Sequence, residues 1–277
     1  MYKIGLSSSG KVICEELFES YQKAGIYGME VTGLYENQIN YDFNNIKKMA
    51  DSFGVKLWSH HLPFKPFDLI DLADRKLCEN TVKIMGELIK KSGSAGIDKF
   101  VVHSSGIVKR DLLSKEEIHD KMECAKESLA DLAEIAHAAG GNVCVENLPP
   151  ICLPTSVEEV RELVSADDRL RVCVDTNHML EGTPVDFIKG LADRLVTLHI
   201  SDFDFENERH WMPGRGVINW QEVYATLKEV NYSGIWLYEI GPKSGDRIYE
   251  CKDFVQNAND IFENKELGLY GIKNPEK

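Results

Sequence analysis

Val172-Cys173-Val174-Asp175-Thr176-Asn177-His178 opens as a short apolar run of strand type and closes on a carboxylate and an imidazole. Polar side chains at the end of a buried strand cost free energy unless they are paired or bound to something. Three further stretches repeat the design: Val143-Cys144-Val145-Glu146-Asn147, Val196-Thr197-Leu198-His199-Ile200-Ser201-Asp202 and Ile235-Trp236-Leu237-Tyr238-Glu239. Successive strand residues point to opposite faces. Cys173 and Asp175 therefore share one face and Val172 and Val174 the other. Likewise Cys144 and Glu146 oppose Val143 and Val145, and Thr197 and His199 oppose Val196 and Leu198. The Val/Leu face suits packing against helices, and the other face ends in a ligand-type residue.

Outward from this stretch the chain alternates strand-like and helix-like segments with short breaks. Strands are expected at 2–8, 27–34, 55–61, 99–103, 142–147, 170–175, 195–201 and 234–240. Helices are expected between them, including a long one over 68–91, one over 114–139 opened by the Ser114/Glu117 capping box, and a last one over 246–262. The prolines of Leu62-Pro63-Phe64-Lys65-Pro66-Phe67 remove backbone donors and make that segment a loop over the strand ends. Alternating units imply a parallel sheet. Eight of them imply a single (β/α)8 barrel over 1–277, with an irregular tail after about 263. An open doubly wound sheet would need a glycine-rich phosphate turn, and Gly5-Leu6-Ser7-Ser8-Ser9-Gly10 does not match it.

With 277 residues, 43% of them hydrophobic, the chain can bury a large core. The net charge of −13 argues against a nucleic-acid partner, because excess negative charge repels phosphate backbones. No segment is apolar for long enough to span a bilayer, and the N-terminus reads as a first strand, not a signal peptide. The seven cysteines are scattered, without a C-x-x-C pair, which points to a reduced, cytoplasmic protein.

In a barrel, Glu146, Asp175, His199 and Glu239 project inward from the carboxyl ends of four successive strands. Three converging carboxylates repel one another, and a divalent cation removes the conflict. An oxygen-rich set with one imidazole suits Mn2+, Mg2+ or Co2+, with Zn2+ also compatible. His61, His103, His178 and His210 gather at the same rim. His60 has the opposite parity to His61 and faces the helices, while His119 and His137 fall within helices as surface or packing residues. Glu30, near the end of the second strand, looks into the site or serves as a structural carboxylate. Trp58, Phe64, Phe67 and Trp211 are candidate walls of a sugar-sized pocket.

These pieces, with Glu208-Arg209-His210-Trp211-Met212-Pro213-Gly214-Arg215-Gly216 after the seventh strand, resemble the xylose isomerase-like barrel superfamily. That superfamily includes sugar phosphate isomerases and epimerases, D-tagatose 3-epimerase, hydroxypyruvate isomerase, inosose dehydratase and apurinic endonuclease IV. The resemblance implies a metal on Glu146, Asp175, His199 and Glu239, with Glu146 and Glu239 doubling as acid and base and His178 touching substrate. His61, His103, Arg209, His210 and Trp211 complete the expected substrate-binding set. The expected activity is isomerisation or epimerisation of a small sugar or sugar phosphate, with a dehydratase of inosose or dehydroshikimate type, or a trinuclear-zinc nuclease like apurinic endonuclease IV, as alternatives. Barrel enzymes of this type often pair, so a homo-oligomer is expected. The endonuclease branch holds three zinc ions on positions matching His61, His103, Glu146, Asp175, His178, His199, an Asp-Arg-His motif and Glu239. Here that motif reads Glu208-Arg209-His210.

Overall fold

A computed structural model describes residues 1–179 and 182–275; the expected span 1–277 runs two residues past its end. Eight strand units follow one another: β1 (Ile4–Ser7), α1 (Glu15–Ala24), β2 (Gly28–Val31), the short α2 (Tyr35–Gln38), α3 (Phe43–Ser52), β3 (Lys56–His61), α4 (Cys78–Ser94), β4 (Lys99–Val102) and α5 (Lys115–Ala138) form the first half. The second half comprises β5 (Asn142–Glu146), α6 (Val157–Val164), β6 (Arg171–Asp175), α7 (Pro184–Gly190), β7 (Leu195–His199), α8 (Trp220–Glu229), β8 (Trp236–Tyr238) and, after a hairpin, α9 (Cys251–Phe262). The parallel strands pair in the order β7-β6-β5-β4-β3-β2-β1-β8. Ile200 bridges to Tyr238 and closes the ring between β7 and β8. The fold is the expected (β/α)8 barrel.

Val143 and Val145 of β5, Val172 and Val174 of β6 and Leu198 of β7 lie in the large cluster between sheet and helices. Inside the barrel, Val101, Cys144 and Cys173 form a small layer. Below it Trp58, Ile235 and Leu237 make a floor. Gly5 makes room for that floor, since a Cβ there would lie 2.4 Å from Ile235 Cδ1.

Two bulges depart from strict alternation. The register shifts between Met29 and Glu30 on β2 leave Trp58 of β3 as an extra residue, and those between Val172 and Cys173 on β6 do the same for Val196 of β7. Each bulge turns two consecutive residues inward. Val196 therefore packs on the inner Cys144/Cys173 layer instead of the helices. Trp58 sits in the floor, where Nε1 donates to Thr197 Oγ1 at 3.0 Å, so it is no wall of a pocket at the mouth. His60 faces outward as expected, held by Ser92 Oγ and Gln38 Oε1.

Three elements differ from the sequence reading. The helix expected over 68–91 begins at Cys78. Before it, Asp71 and Asp74 accept from the backbone N–H groups of Ala73 and Lys76, and these local bonds compete with a helix. The last helix begins at Cys251, because 243–248 form a hairpin, β9 (Lys243–Ser244) and β10 (Arg247–Ile248). The tail adds β11 (Ile272–Lys273) to that hairpin. Among the described residues, no helix is long and apolar enough to cross a membrane.

The loop after β7 is organised by Asp202, which is fully buried. Its carboxylate accepts from the N–H groups of Phe203, Gly214, Gly216 and Ile218 and from Trp220 Nε1. A Cβ on Gly216 would meet Phe203 O at 2.1 Å, so only glycine fits this approach. Asp202→Ala strands these donors and is expected to cost about 3 kcal/mol or more of stability. Urea denaturation measures it.

Candidate metal centre

The register that closes the barrel also sets the height of the site. Glu146 lies opposite Cys173, and Asp175 lies opposite His199. His199 Nδ1 is 3.0 Å from Glu146 Oε1, 3.2 Å from Glu239 Oε2 and 3.7 Å from Asp175 Oδ2. One ligand atom from each of Glu146, Asp175, His199 and Glu239 falls within 4.8 Å of the others. Glu146, Asp175 and His199 are fully buried, while Glu239 keeps 15% side-chain exposure toward the mouth.

Two further groups share this centre. His61 Nε2 and His103 Nε2 lie 3.3 and 3.4 Å from Glu146 Oε2. His178 Nε2 lies 3.6 Å from Glu208 Oε1, and with His210 they form a third group of ligand type. Phe64 stacks on His103 with ring centroids 4.3 Å apart and walls that side.

The donor atoms present fit a divalent ion. His61 Nδ1, His178 Nδ1 and His210 Nδ1 donate to the backbone carbonyls of Leu62, Asn147 and Glu239. A carbonyl only accepts, so the neutral ring keeps its proton on Nδ1 and its lone pair on Nε2. His199 is reversed: Nε2 donates to Glu30 Oε2 at 3.0 Å, freeing Nδ1 toward the carboxylates. Glu146 Oε2 and Asp175 Oδ2 are buried without a hydrogen-bond partner. Imidazoles tied at the far nitrogen and buried oxygens without donors are what a metal centre requires.

Charge in the metal-free protein follows from the same contacts. Burial pulls His61 down, but Glu146, with Glu30 and Glu239, raises it to about 9. His178 rises against burial to about 10 through Asp175 and Glu146. Burial wins at His103, which falls to about 4. Glu146 is held well below the ordinary carboxylate value against its own burial, chiefly by His199 and His103.

Other expected residues serve the loop. The Arg209 guanidinium is bound by Asp204 and lies over the Trp211 ring, so its charge is compensated within the loop. Trp211 lies between Arg209 and Arg215 and pairs its backbone with Asp202. His210 adopts a left-handed φ of 46°, with its N–H on Asn177 Oδ1 and its carbonyl accepting from Ser244 Oγ. Phe67 packs against Gly106 on the neighbouring loop. His119 and His137 are exposed. Sequence reasoning missed Asn177 and Ser244 as braces of this loop; for Asn177, its place between two candidate ligands, Asp175 and His178, was the available signal.

The model of the xylose isomerase-like TIM barrel matches residues 18–257. The chain belongs to that family. Among curated relatives, an uncharacterised protein of Methanocaldococcus jannaschii is 21% identical over 78% of this chain and 81% of its own length. D-psicose 3-epimerase of Agrobacterium fabrum is 29% identical over 44% of this chain and 43% of its own. Among solved structures, a D-tagatose 3-epimerase-like protein superposes with a TM-score of 0.80 at 21% identity, covering 94% of this chain and 96% of the other. At that identity the likeness speaks for the fold alone.

In the metal-free protein, protons on His61 and His178 offset the carboxylates. Both imidazoles are raised above the unfolded value of about 6.5, so their contribution to stability is complete below that pH and is lost as pH rises through about 9 to 10. The melting temperature of chelator-stripped protein is expected to fall from pH 6.5 to pH 10. Adding a divalent ion at pH 7 should release protons into a weak buffer.

Proposed function

We propose that the protein is a metal-dependent isomerase or epimerase of a small sugar or sugar phosphate. The observation that carries the reading is the convergence of Glu146, Asp175, His199 and Glu239 at the mouth of a barrel whose relatives include D-psicose 3-epimerases. A divalent ion on those four residues would supply Lewis-acid stabilisation of charge building on a substrate oxygen.

The chain's own residues do the proton work. Glu146, fully buried with Oε2 free of any hydrogen-bond partner, stands as the base. It takes the proton from carbon beside a carbonyl. Glu239, nearer the open mouth, returns a proton to the neighbouring carbon or the opposite face. His178 and His103 orient hydroxyl groups, and Phe64 shields the site from water on one side.

One observation favours a second reading, a phosphodiesterase with several metal ions of the abasic-site nuclease type. Glu146 is shared between two ligand groups, and His178, Glu208 and His210 supply a third. Glutamate at 208 is a methylene longer than the aspartate of the motif it resembles, and the net charge of −13 opposes a DNA duplex. Elemental analysis with a nicking assay on abasic DNA separates the two: three zinc ions with nicking would favour the nuclease.

The reaction is tested by NMR of ketopentoses and ketohexoses with the metal-loaded protein in deuterated buffer. Solvent deuterium appearing at carbon without loss of mass is expected. Loss of water would mean a dehydratase, and no exchange with any sugar would contradict the proposal. Glu146→Gln is expected to lower turnover by about 10²–10⁴-fold with an unchanged far-UV spectrum.

A further inference from the structure

We infer that Glu30 is a positioning residue that makes the four-ligand group the tightest metal site of the mouth. Glu30 lies near the end of β2 and is fully buried. Its Oε2 accepts from Ser59 Oγ at 2.8 Å and from His199 Nε2–H at 3.0 Å. Its Oε1 is buried without a hydrogen-bond partner.

An imidazole ligand has two nitrogens, and the group that holds the far one sets the tautomer, the ring orientation and the basicity of the near one. His61, His178 and His210 give their far N–H to backbone carbonyls. Of these four rings, His199 is the one whose far N–H is hydrogen-bonded to a carboxylate; His178 Nδ1 lies 3.4 Å from Glu146 Oε1 but gives its hydrogen bond to the Asn147 carbonyl. A carbonyl orients a ring. An ionised carboxylate also forms a charge-assisted bond and raises the electron density on the opposite nitrogen. That nitrogen, Nδ1, faces Glu146, Glu239 and Asp175. The strongest backing thus stands behind the ring that meets three carboxylates. The His178–Glu208–His210 group has carbonyl-backed rings and a Glu208 side chain that is 43% exposed, so it binds more weakly.

The inference rests on the metal reading above and is independent of the reaction. It is tested by titrating Co2+ into chelator-stripped wild-type protein and the Glu30→Gln, Glu30→Leu and Ser59→Ala variants, read by a competing chromophoric chelator and by the visible cobalt absorption band. Gln keeps an acceptor for His199 Nε2–H and removes the charge, whereas Leu removes both. The tightest binding constant is expected to weaken about tenfold in Glu30→Gln and toward a hundredfold in Glu30→Leu, with a shifted band and an unchanged constant for the His178–Glu208–His210 group, which does not contain His199. Ser59→Ala leaves the charge but loosens the carboxylate, so the same constant weakens less; this variant decides the matter if the Glu30 variants do not fold. A wild-type constant and band in folded Glu30 variants, or in Ser59→Ala when it must stand alone, overturns the inference. Equal losses at every site also overturn it. Wild-type protein that binds no Co2+ overturns the metal reading together with it.

Discussion

Like charge crowded into a dry space is the constraint on which this structure turns. Glu30, Glu146 and Asp175 are fully buried, and Glu239 is nearly so. Carboxylates this close cannot all stay ionised unless positive charge lies among them. In the metal-free protein the imidazoles provide it, and His61 and His178 hold protons well above their ordinary range. A divalent ion would supply the same two positive charges from one fixed point and release the imidazoles to act as neutral ligands. The barrel supplies the geometry, because strands in register bring residues 93 positions apart in sequence, Glu146 and Glu239, to the same histidine nitrogen.

The rest of the mouth is built to keep that geometry. Asp202 gathers five donors and folds the loop after β7 over the strand ends. Asn177 ties the same loop to β6 through the N–H groups of Arg209 and His210. The β9–β10 hairpin holds it from the other side, with Ser244 on the His210 carbonyl and Asp246 on Arg215. His210 is therefore fixed by three separate elements in a left-handed backbone conformation, the kind of strain that persists only where the surroundings over-determine it.

Much of this was legible in the sequence. Alternation in β5 and β6 placed Glu146 and Asp175 inward because nothing interrupts those strands. The opposed parity of His60 and His61 was legible because both lie beyond the Trp58 bulge, where β3 alternates again. The bulges at Trp58 and Val196 were not, since each inserts one apolar residue among others without a glycine or proline to mark it. The late start of α4 depended on aspartate side chains choosing local backbone partners, and helical periodicity does not report that choice. The ties of Arg209 to Asp204 and of Glu30 to His199 are contacts that spacing alone does not specify.

The most direct measurement is anomalous diffraction from crystals grown with Mn2+ or Co2+, recorded on both sides of the metal absorption edge. The account predicts a peak bounded by Glu146, Asp175, Glu239 and His199 Nδ1, at about 2.0–2.2 Å from the ligand atoms. A map with no peak among these four side chains, in protein that is folded and saturated with the ion, would contradict it.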